Sequence, residues 1–326
     1  MESKEEIIGK KILITGGAGY LGSYLTKQFS SNGAKVIVYS RDELKHFNLK
    51  MQLGDLASNV EFVIGDVRDR ERLIEATKSV DIIIHAAALK QVSTCEHNPK
   101  ECYKTNVTGT ENVIAASQTN GVAKLVFISS DKAVEPVSVY GNSKQAGEKL
   151  VLNANEENLS TSIIRLGNLI GSPGSIADKV LKLNDGDELK IYSPKLTRFT
   201  NSLEAAYSLI EALVQKDLGG CIMLPKLRSV RILDFVKEQF PMLKLALGGQ
   251  PSYEKTHEKL ATSSELERSV VNGQYYLILP EAVNVDVGLD EFGCLPSVIK
   301  TYSSDEVFTE SSSNSERNFS FRLETE

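Results

Sequence analysis

A tyrosine and a lysine four positions apart, Tyr140 and Lys144, carry the clearest chemical signal in this chain of 326 residues. They open a helical run, Tyr140-Gly141-Asn142-Ser143-Lys144, and that spacing places both on one face of a helix. A phenol titrates near ~10 and is a poor base at neutral pH. A neighbouring ammonium stabilises the phenolate and brings that value down. Such a pair is suited to taking the proton of a hydroxyl while hydride leaves the same carbon. Upstream, Ser129-Ser130-Asp131-Lys132 follows an apolar run. The Ser130 hydroxyl can orient the hydroxyl that Tyr140 deprotonates. Asp131 and Lys132 add an acid and a base that simple alcohol oxidation does not need, but that breaking a C–H and a C–O bond does. The plain alternative is a turn capped by Asp131 with Lys132 exposed; the Tyr140/Lys144 pair downstream weighs against it.

These residues need a scaffold, and the first half of the chain supplies one. Ile12–Ile14, Val36–Tyr39, Val60–Ile64, Ile82–Ile84, Lys124–Ile128 and Ser162–Arg165 are short apolar runs separated by helical patterns. Near-continuous apolar strands alternating with helices predict an α/β fold with a doubly wound parallel sheet of the Rossmann type. Thr15-Gly16-Gly17-Ala18-Gly19-Tyr20-Leu21-Gly22 joins the first strand to the first helix. Glycines there let the backbone approach a pyrophosphate at a helix N-terminus. This strand–turn–helix context favours a dinucleotide cradle over a plain tight turn.

The second strand ends in Tyr39-Ser40-Arg41-Asp42-Glu43. Ser40 and Arg41, with Lys45, favour the 2′-phosphate of NADP; the alternative has Asp42 holding a ribose hydroxyl and Arg41 in solvent. Asp66 and Val67 end the third strand, where Asp66 either accepts from the adenine amino group or caps the next helix. Ala86, Ala87 and Ala88 end the fourth, small enough to let a cofactor pass or a helix pack closely. The predicted organisation is a cofactor-binding domain over 1–167, with later segments free to rejoin it, a smaller α/β substrate lobe over 168–300, and a mobile tail over 301–326 rich in Ser, Asp and Glu.

A net charge of −6 argues against nucleic acid as a partner. No apolar stretch approaches the ~20 residues that span a bilayer, and the polar start reads as no signal peptide. Four cysteines without C-x-x-C spacing fit a reducing cytoplasm, and four scattered histidines predict no metal site.

Taken together, these motifs resemble the soluble inverting UDP-N-acetylglucosamine 4,6-dehydratases (5-epimerising), a polysaccharide-biosynthesis branch of the extended short-chain dehydrogenases. The resemblance runs from about Lys10 to about Pro296. It includes the glycine loop, Ala86-Ala87-Ala88-Leu89-Lys90-Gln91-Val92, Ser130-Asp131-Lys132-Ala133-Val134-Glu135-Pro136, Val139-Tyr140-Gly141-Asn142-Ser143-Lys144, Leu196-Thr197-Arg198-Phe199 and Glu254-Lys255-Thr256-His257-Glu258. It implies that Tyr140 and Lys144 oxidise C4 of the sugar against NADP, that Lys132 takes the C5 proton, and that Asp131 helps protonate the departing 6-hydroxyl. It also implies substrate contacts from Lys90, Asn168, Arg198 and Lys226, and a homo-oligomer, a hexamer in some of the family. Each of those four contacts has a structural alternative: a surface lysine, a turn asparagine, an ion pair and a second surface lysine. The family's Arg-Pro-Gly before Glu-Lys is replaced by Pro251-Ser252-Tyr253, and Arg228 is expected to restore the missing charge. Two rivals share these motifs. A UDP-hexose 4-epimerase needs Tyr140 and Lys144 but not Asp131-Lys132. A non-catalytic NADP-binding protein needs neither pair.

Overall fold

The computed structural model describes residues 7–184, 186–281, 295–296 and 299–307. Six parallel strands, β1 (Lys11–Thr15), β2 (Lys35–Ser40), β3 (Val60–Ile64), β4 (Ile82–His85), β5 (Lys124–Ser130) and β6 (Ser160–Leu166), lie in the order β3-β2-β1-β4-β5-β6. This is the expected doubly wound arrangement, with the order reversing between β1 and β4.

Side chains on successive strand residues point to opposite faces, and both faces are covered. Ile12, Ile14, Val36, Val38, Ile82 and Ile84 enter one buried cluster with Leu21, Leu25 and Phe29 of the helix Tyr20–Ser31. Leu13, Ile37, Tyr39 and Ile83 enter the opposite cluster with Val113 and Ala116 of the helix Gly109–Asn120 and Val151 of the helix Val139–Asn153. That two-sided burial explains why these strands read as unbroken apolar runs rather than alternating ones. β3, at the sheet edge, is largely uncovered: Ile64 is exposed.

Beyond β6 the chain does not stay in a separate lobe. The strand Ile222–Pro225 pairs parallel to β6, and Tyr275–Ile278, Ser269–Asn272 and Leu295–Pro296 extend the same sheet antiparallel, to ten strands. The intervening segments build two small sheets, Asn168–Leu169 with Thr197–Asn201 and Arg228–Arg231, and Glu188–Ile191 with Lys244–Leu247. A separate cluster of Val180, Leu189, Ile191, Leu196, Ile232 and Val236 forms the core of this lobe.

The expectation of a mobile tail from 301 fails for residues 301–307. Tyr302 is buried, and its hydroxyl donates to the Pro225 carbonyl while accepting from the Leu227 amide at 2.8 Å. Its ring packs edge-on against Phe199 and Tyr276. Averaging composition over a Ser/Asp/Glu-rich run hid one large aromatic anchor. Residues 308–326 of that predicted tail lie outside the described residues.

A buried ion cluster ties the helix Val139–Asn153 to the sheet. Arg165 on β6 donates to Glu148 of the helix at 2.8 and 2.9 Å and to Glu265 at 2.7 and 2.9 Å, and Ser129 of β5 donates to the same Glu148. Arg165 and Glu148 are almost inaccessible, so each charge depends on its partner. The cluster fixes the register between the helix carrying Tyr140 and Lys144 and the strand carrying Ser130.

Candidate active site

A cleft of about 870 Å³ opens along the carboxyl ends of the strands. It is long enough to run from Lys45, Asn48 and Gln52 at one end, past the glycine loop and Ala86-Ala87-Ala88, to Tyr192, Tyr253 and Glu254 at the other. Pockets for one drug-sized ligand take roughly 300–1,000 Å³, so this cleft stands at the upper end of that range.

The glycine loop forms its floor. Gly16 has φ +69°, and a Cβ on Gly22 would sit 2.2 Å from the Gly16 carbonyl oxygen, so only glycine lets the turn close on the helix start. Gly19 caps the helix Tyr20–Ser31 without a side-chain hydrogen bond, which leaves its first amides to an anion. Gly16, Gly19, Tyr20, Leu21 and Gly22 line the cleft. Thr15 and Gly17 do not. Thr15 is fully buried, its hydroxyl bonded to His85 Nδ1 at 2.7 Å and accepting from the Ala87 amide at 3.2 Å. Gly17 is packed beneath Ile14 and Val38. Both hold the turn from inside. His85 belongs to the same support: burial drives its pKa down to about 3, keeping it neutral between Thr15 and Thr110.

At the far end, Ser40, Arg41 and Lys45 line the cleft. Asp42 caps the helix Glu43–Leu53, accepting from the Lys45 amide at 3.1 Å, and also pairs with Lys45 Nζ at 3.1 Å. Its carboxylate is thus engaged by its own helix. Ser40 is bonded to His46 Nε2 at 2.7 Å. Arg41 reaches Asp66 at 3.4 Å. Asp66 accepts from the Arg68 amide and pairs with its guanidinium at 2.6 Å. It does not cap the next helix; Asp69 does, accepting from the Arg72 amide. Asp66, Val67, Ala86, Ala87 and Ala88 are all in the cleft wall.

The chemical residues meet midway. Ser130, Lys132, Tyr140 and Lys144 face the cleft together. The Ser138 hydroxyl starts the helix by accepting from the Gly141 amide, which sets the first turn that carries Tyr140. Burial holds the Tyr140 phenol up at about 12, against the lowering pull of the Lys132 charge and a hydrogen bond with Ser130. Lys144 donates to the Ile128 carbonyl at 2.6 Å and lies 3.9 Å from the centre of the Phe127 ring; burial brings its pKa down to about 7, with Glu148 and Cys102 opposing. The sequence assigns the lowering of the Tyr140 pKa to Lys144 together with an oxidised nicotinamide; among the protein groups the strongest lowering influence is Lys132.

Asp131 departs from expectation. It is fully buried and absent from the cleft wall. Its Oδ1 accepts from Ser130 at 2.8 Å and from Lys132 Nζ at 3.2 Å, while Oδ2 has no hydrogen-bond partner. Burial raises its pKa, with Lys132 only partly offsetting. Any proton it gives must therefore reach the cleft through Lys132 or Ser130. On Lys132, burial pulls the pKa down, but Asp131 and Glu258 outweigh it and the net shift is upward.

Of the expected substrate contacts, Lys90 and Asn168 line the cleft, and Asn168 Oδ1 accepts from Lys132 Nζ at 3.4 Å. Arg198 reaches the wall at one edge but is otherwise buried, bound to Glu254 at 3.0 Å and to the Thr197, Lys255 and Thr256 carbonyls. The ion-pair alternative describes it better than a substrate contact. Lys226 is exposed outside the cleft, 5.2 Å from the Tyr276 ring centre, just past the end of the buried strand Ile222–Pro225. Arg228 is exposed on the outer strand Arg228–Arg231 and is likewise not in the cleft wall. Among the residues with no predicted role are Tyr253, in the wall, and Glu258, buried beside Lys132. The Glu254–Glu258 run was the only signal for Glu258.

A family model described as polysaccharide biosynthesis protein matches residues 12–280. The chain belongs to that family. A UDP-N-acetylglucosamine 4,6-dehydratase (inverting) of Campylobacter jejuni (strain 81-176) is 40% identical over 286 residues, 85% of either chain. A UDP-glucose 4-epimerase of Rickettsia canadensis is 35% identical over 285 residues, 83% of either chain. Among solved structures, Pen from Bacillus thuringiensis superposes with a TM-score of 0.84 at 28% identity, covering 92% of this chain and 93% of its own. Among the described residues no helix is long and apolar enough to cross a membrane.

Proposed function

We propose that this chain is a UDP-N-acetylglucosamine 4,6-dehydratase that inverts C5, giving a UDP-2-acetamido-2,6-dideoxy-4-keto-hexose for surface polysaccharide or protein glycosylation. The observation that carries the reading is Lys132 in one cleft wall with Ser130, Tyr140 and Lys144, backed by a buried Asp131 at 3.2 Å. The 40% relative named for this activity supports it.

The glycine loop, with amides left open at the helix start and no room for a Cβ on Gly22, fits a dinucleotide pyrophosphate. Arg41 and Lys45 at the far end fit a 2′-phosphate, since Asp42 is engaged as a helix cap, so NADP is the proposed cofactor. NADP held there would supply a reversible hydride acceptor, leaving net redox at zero. Tyr140 takes the 4-hydroxyl proton, and Ser130 orients that hydroxyl. Lys132, as the amine, takes the C5 proton once the neighbouring ketone has acidified it. Asp131 stores a proton behind Lys132 for the departing 6-hydroxyl. Lys90 and Asn168 hold the sugar nucleotide.

Incubating the protein with UDP-N-acetylglucosamine and NADP is expected to give a product lighter by one water. The relatives named as 4-epimerases favour a second reading, in which an epimer forms with its 6-oxygen kept. Formation of that epimer alone contradicts the dehydratase. The cofactor assignment predicts that Arg41→Ala weakens NADP binding by about 5- to 100-fold, as losing one charge-assisted hydrogen bond would, and leaves NAD binding nearly unchanged in calorimetry. Equal losses for both contradict the 2′-phosphate contact.

A further inference from the structure

Lys132 lies between two carboxylates, and the second has no part in the chemistry described so far. Its Nζ stands 3.2 Å from Asp131 Oδ1, 3.2 Å from Glu258 Oε1 and 3.4 Å from Asn168 Oδ1. Glu258 is almost wholly buried, and its backbone is pinned where its amide donates to Ser304 at 2.9 Å. Its Oε2 makes no hydrogen bond but stands 3.5 Å from Lys255 Nζ; Arg198 Nε is 3.9 Å from Oε1. Lys255 is itself anchored on the Val134 carbonyl, on the turn that follows Lys132.

We propose that Glu258 is a positioning residue that fixes the Lys132 nitrogen against the cleft wall and holds it as the ammonium, so that the amine needed at C5 arises by passing one proton to Asp131. The proposal rests on the dehydratase reading for its role in turnover, but not for the charge on Lys132. The groups facing Lys132 decide where its proton goes. Glu258 is flanked by three cations, Lys132, Arg198 and Lys255, which together outweigh burial and keep it ionised. Asp131 has Lys132 as its one adjacent cation, is fully buried and has a free oxygen, so it is the better acceptor. Asn168 and the Tyr140 phenol, the other neutral groups around Lys132, are not proton acceptors for an ammonium, and Glu254 faces Arg198 at 3.0 Å. The transfer is balanced: one N–H breaks, one O–H forms on Asp131, and the charge of the pair is unchanged. The amine then faces C5 while the acid waits for the 6-oxygen.

The test is competitive labelling of Lys132 with a small amine-reactive reagent across pH, read by mass spectrometry, on the full chain and its Glu258→Gln variant. Removing an opposite charge at this range is expected to lower the Lys132 titration by about one to three pH units, so labelling at a fixed pH below it rises by about ten-fold or more. Glu258→Asp keeps the charge but shortens its reach, and is expected to shift the titration less. An unchanged Lys132 titration in Glu258→Gln overturns the proposal. Should that variant fail to fold, an unchanged titration in Glu258→Asp together with an unchanged rate of water loss overturns it equally. Labelling needs no substrate, so its result stands whether or not the wild type dehydrates UDP-N-acetylglucosamine. Where it does, the acid limb of the rate of water loss is expected to move to lower pH in Glu258→Gln, whereas a purely structural loss would scale the whole profile down without moving it.

Discussion

Replacing Tyr140 by Phe is expected to lower conversion of UDP-N-acetylglucosamine by about 10²- to 10⁴-fold, the usual contribution of a positioned general acid or base. The phenol faces the cleft beside Ser130 and Lys132, and the change removes one oxygen without altering the ring. That ring packs with Cys95 and Cys102, both buried, so the helix Val139–Asn153 keeps its contacts. Cofactor affinity and thermal stability are therefore expected to stay close to wild type. The phenol at about 12 is protonated at neutral pH, so wild-type activity is expected to rise with pH from the acid side as its proton becomes easier to remove. Retention of full turnover by Tyr140→Phe, measured as product per enzyme by mass spectrometry, contradicts the assignment.

Replacing Lys132 by Ala is expected to separate the two halves of the reaction. Water loss falls by about 10²- to 10⁴-fold, because the C5 proton has no acceptor in the cleft wall. Oxidation at C4 depends on Tyr140, Ser130 and Lys144 and persists, although the Tyr140 phenol loses its main lowering influence and that step slows as well. The observable is reduced cofactor appearing with substrate while no dehydrated product forms. Asp131 loses the adjacent cation that lowers its pKa in this variant, so its pKa rises further. Loss of C4 oxidation and water loss in the same proportion would instead make Lys132 a partner of the first step alone.

Much of this was legible in the sequence, for definite reasons. The strands β1, β2, β4, β5 and β6 are buried on both faces, and such strands announce themselves as apolar runs. The glycine loop and the Tyr140/Lys144 spacing are local, set within one turn of chain, and the structure places them in one cleft. What depended on distant packing was not legible. Thr15 and Gly17 sit inside a motif whose pattern does not say which members face in. Arg198 could be read as a substrate contact or as an ion pair, and only the fold brings Glu254 and Glu258 to it. Lys226 and Arg228 are charges whose placement no local pattern fixes; the first is exposed past the end of the strand Ile222–Pro225 and the second exposed on the strand Arg228–Arg231, neither in the cleft wall. Tyr302, one aromatic in a polar run, closes a core built from residues far earlier in the chain. Asp131 is the most instructive: adjacency to Lys132 was plain, but its complete burial, and hence its dependence on Lys132 or Ser130 to reach substrate, follows only from the turn that ends β5.

In the proposed reaction one carbon loses hydride and another receives it while water departs between them. The direct measurement uses UDP-N-acetylglucosamine carrying deuterium at C4, with NMR of the product. The expected spectrum shows deuterium on C6 of a 4-keto-6-deoxy sugar, with C5 inverted and its hydrogen drawn from solvent. Deuterium found back at C4 of a sugar that keeps its 6-hydroxyl would contradict the account.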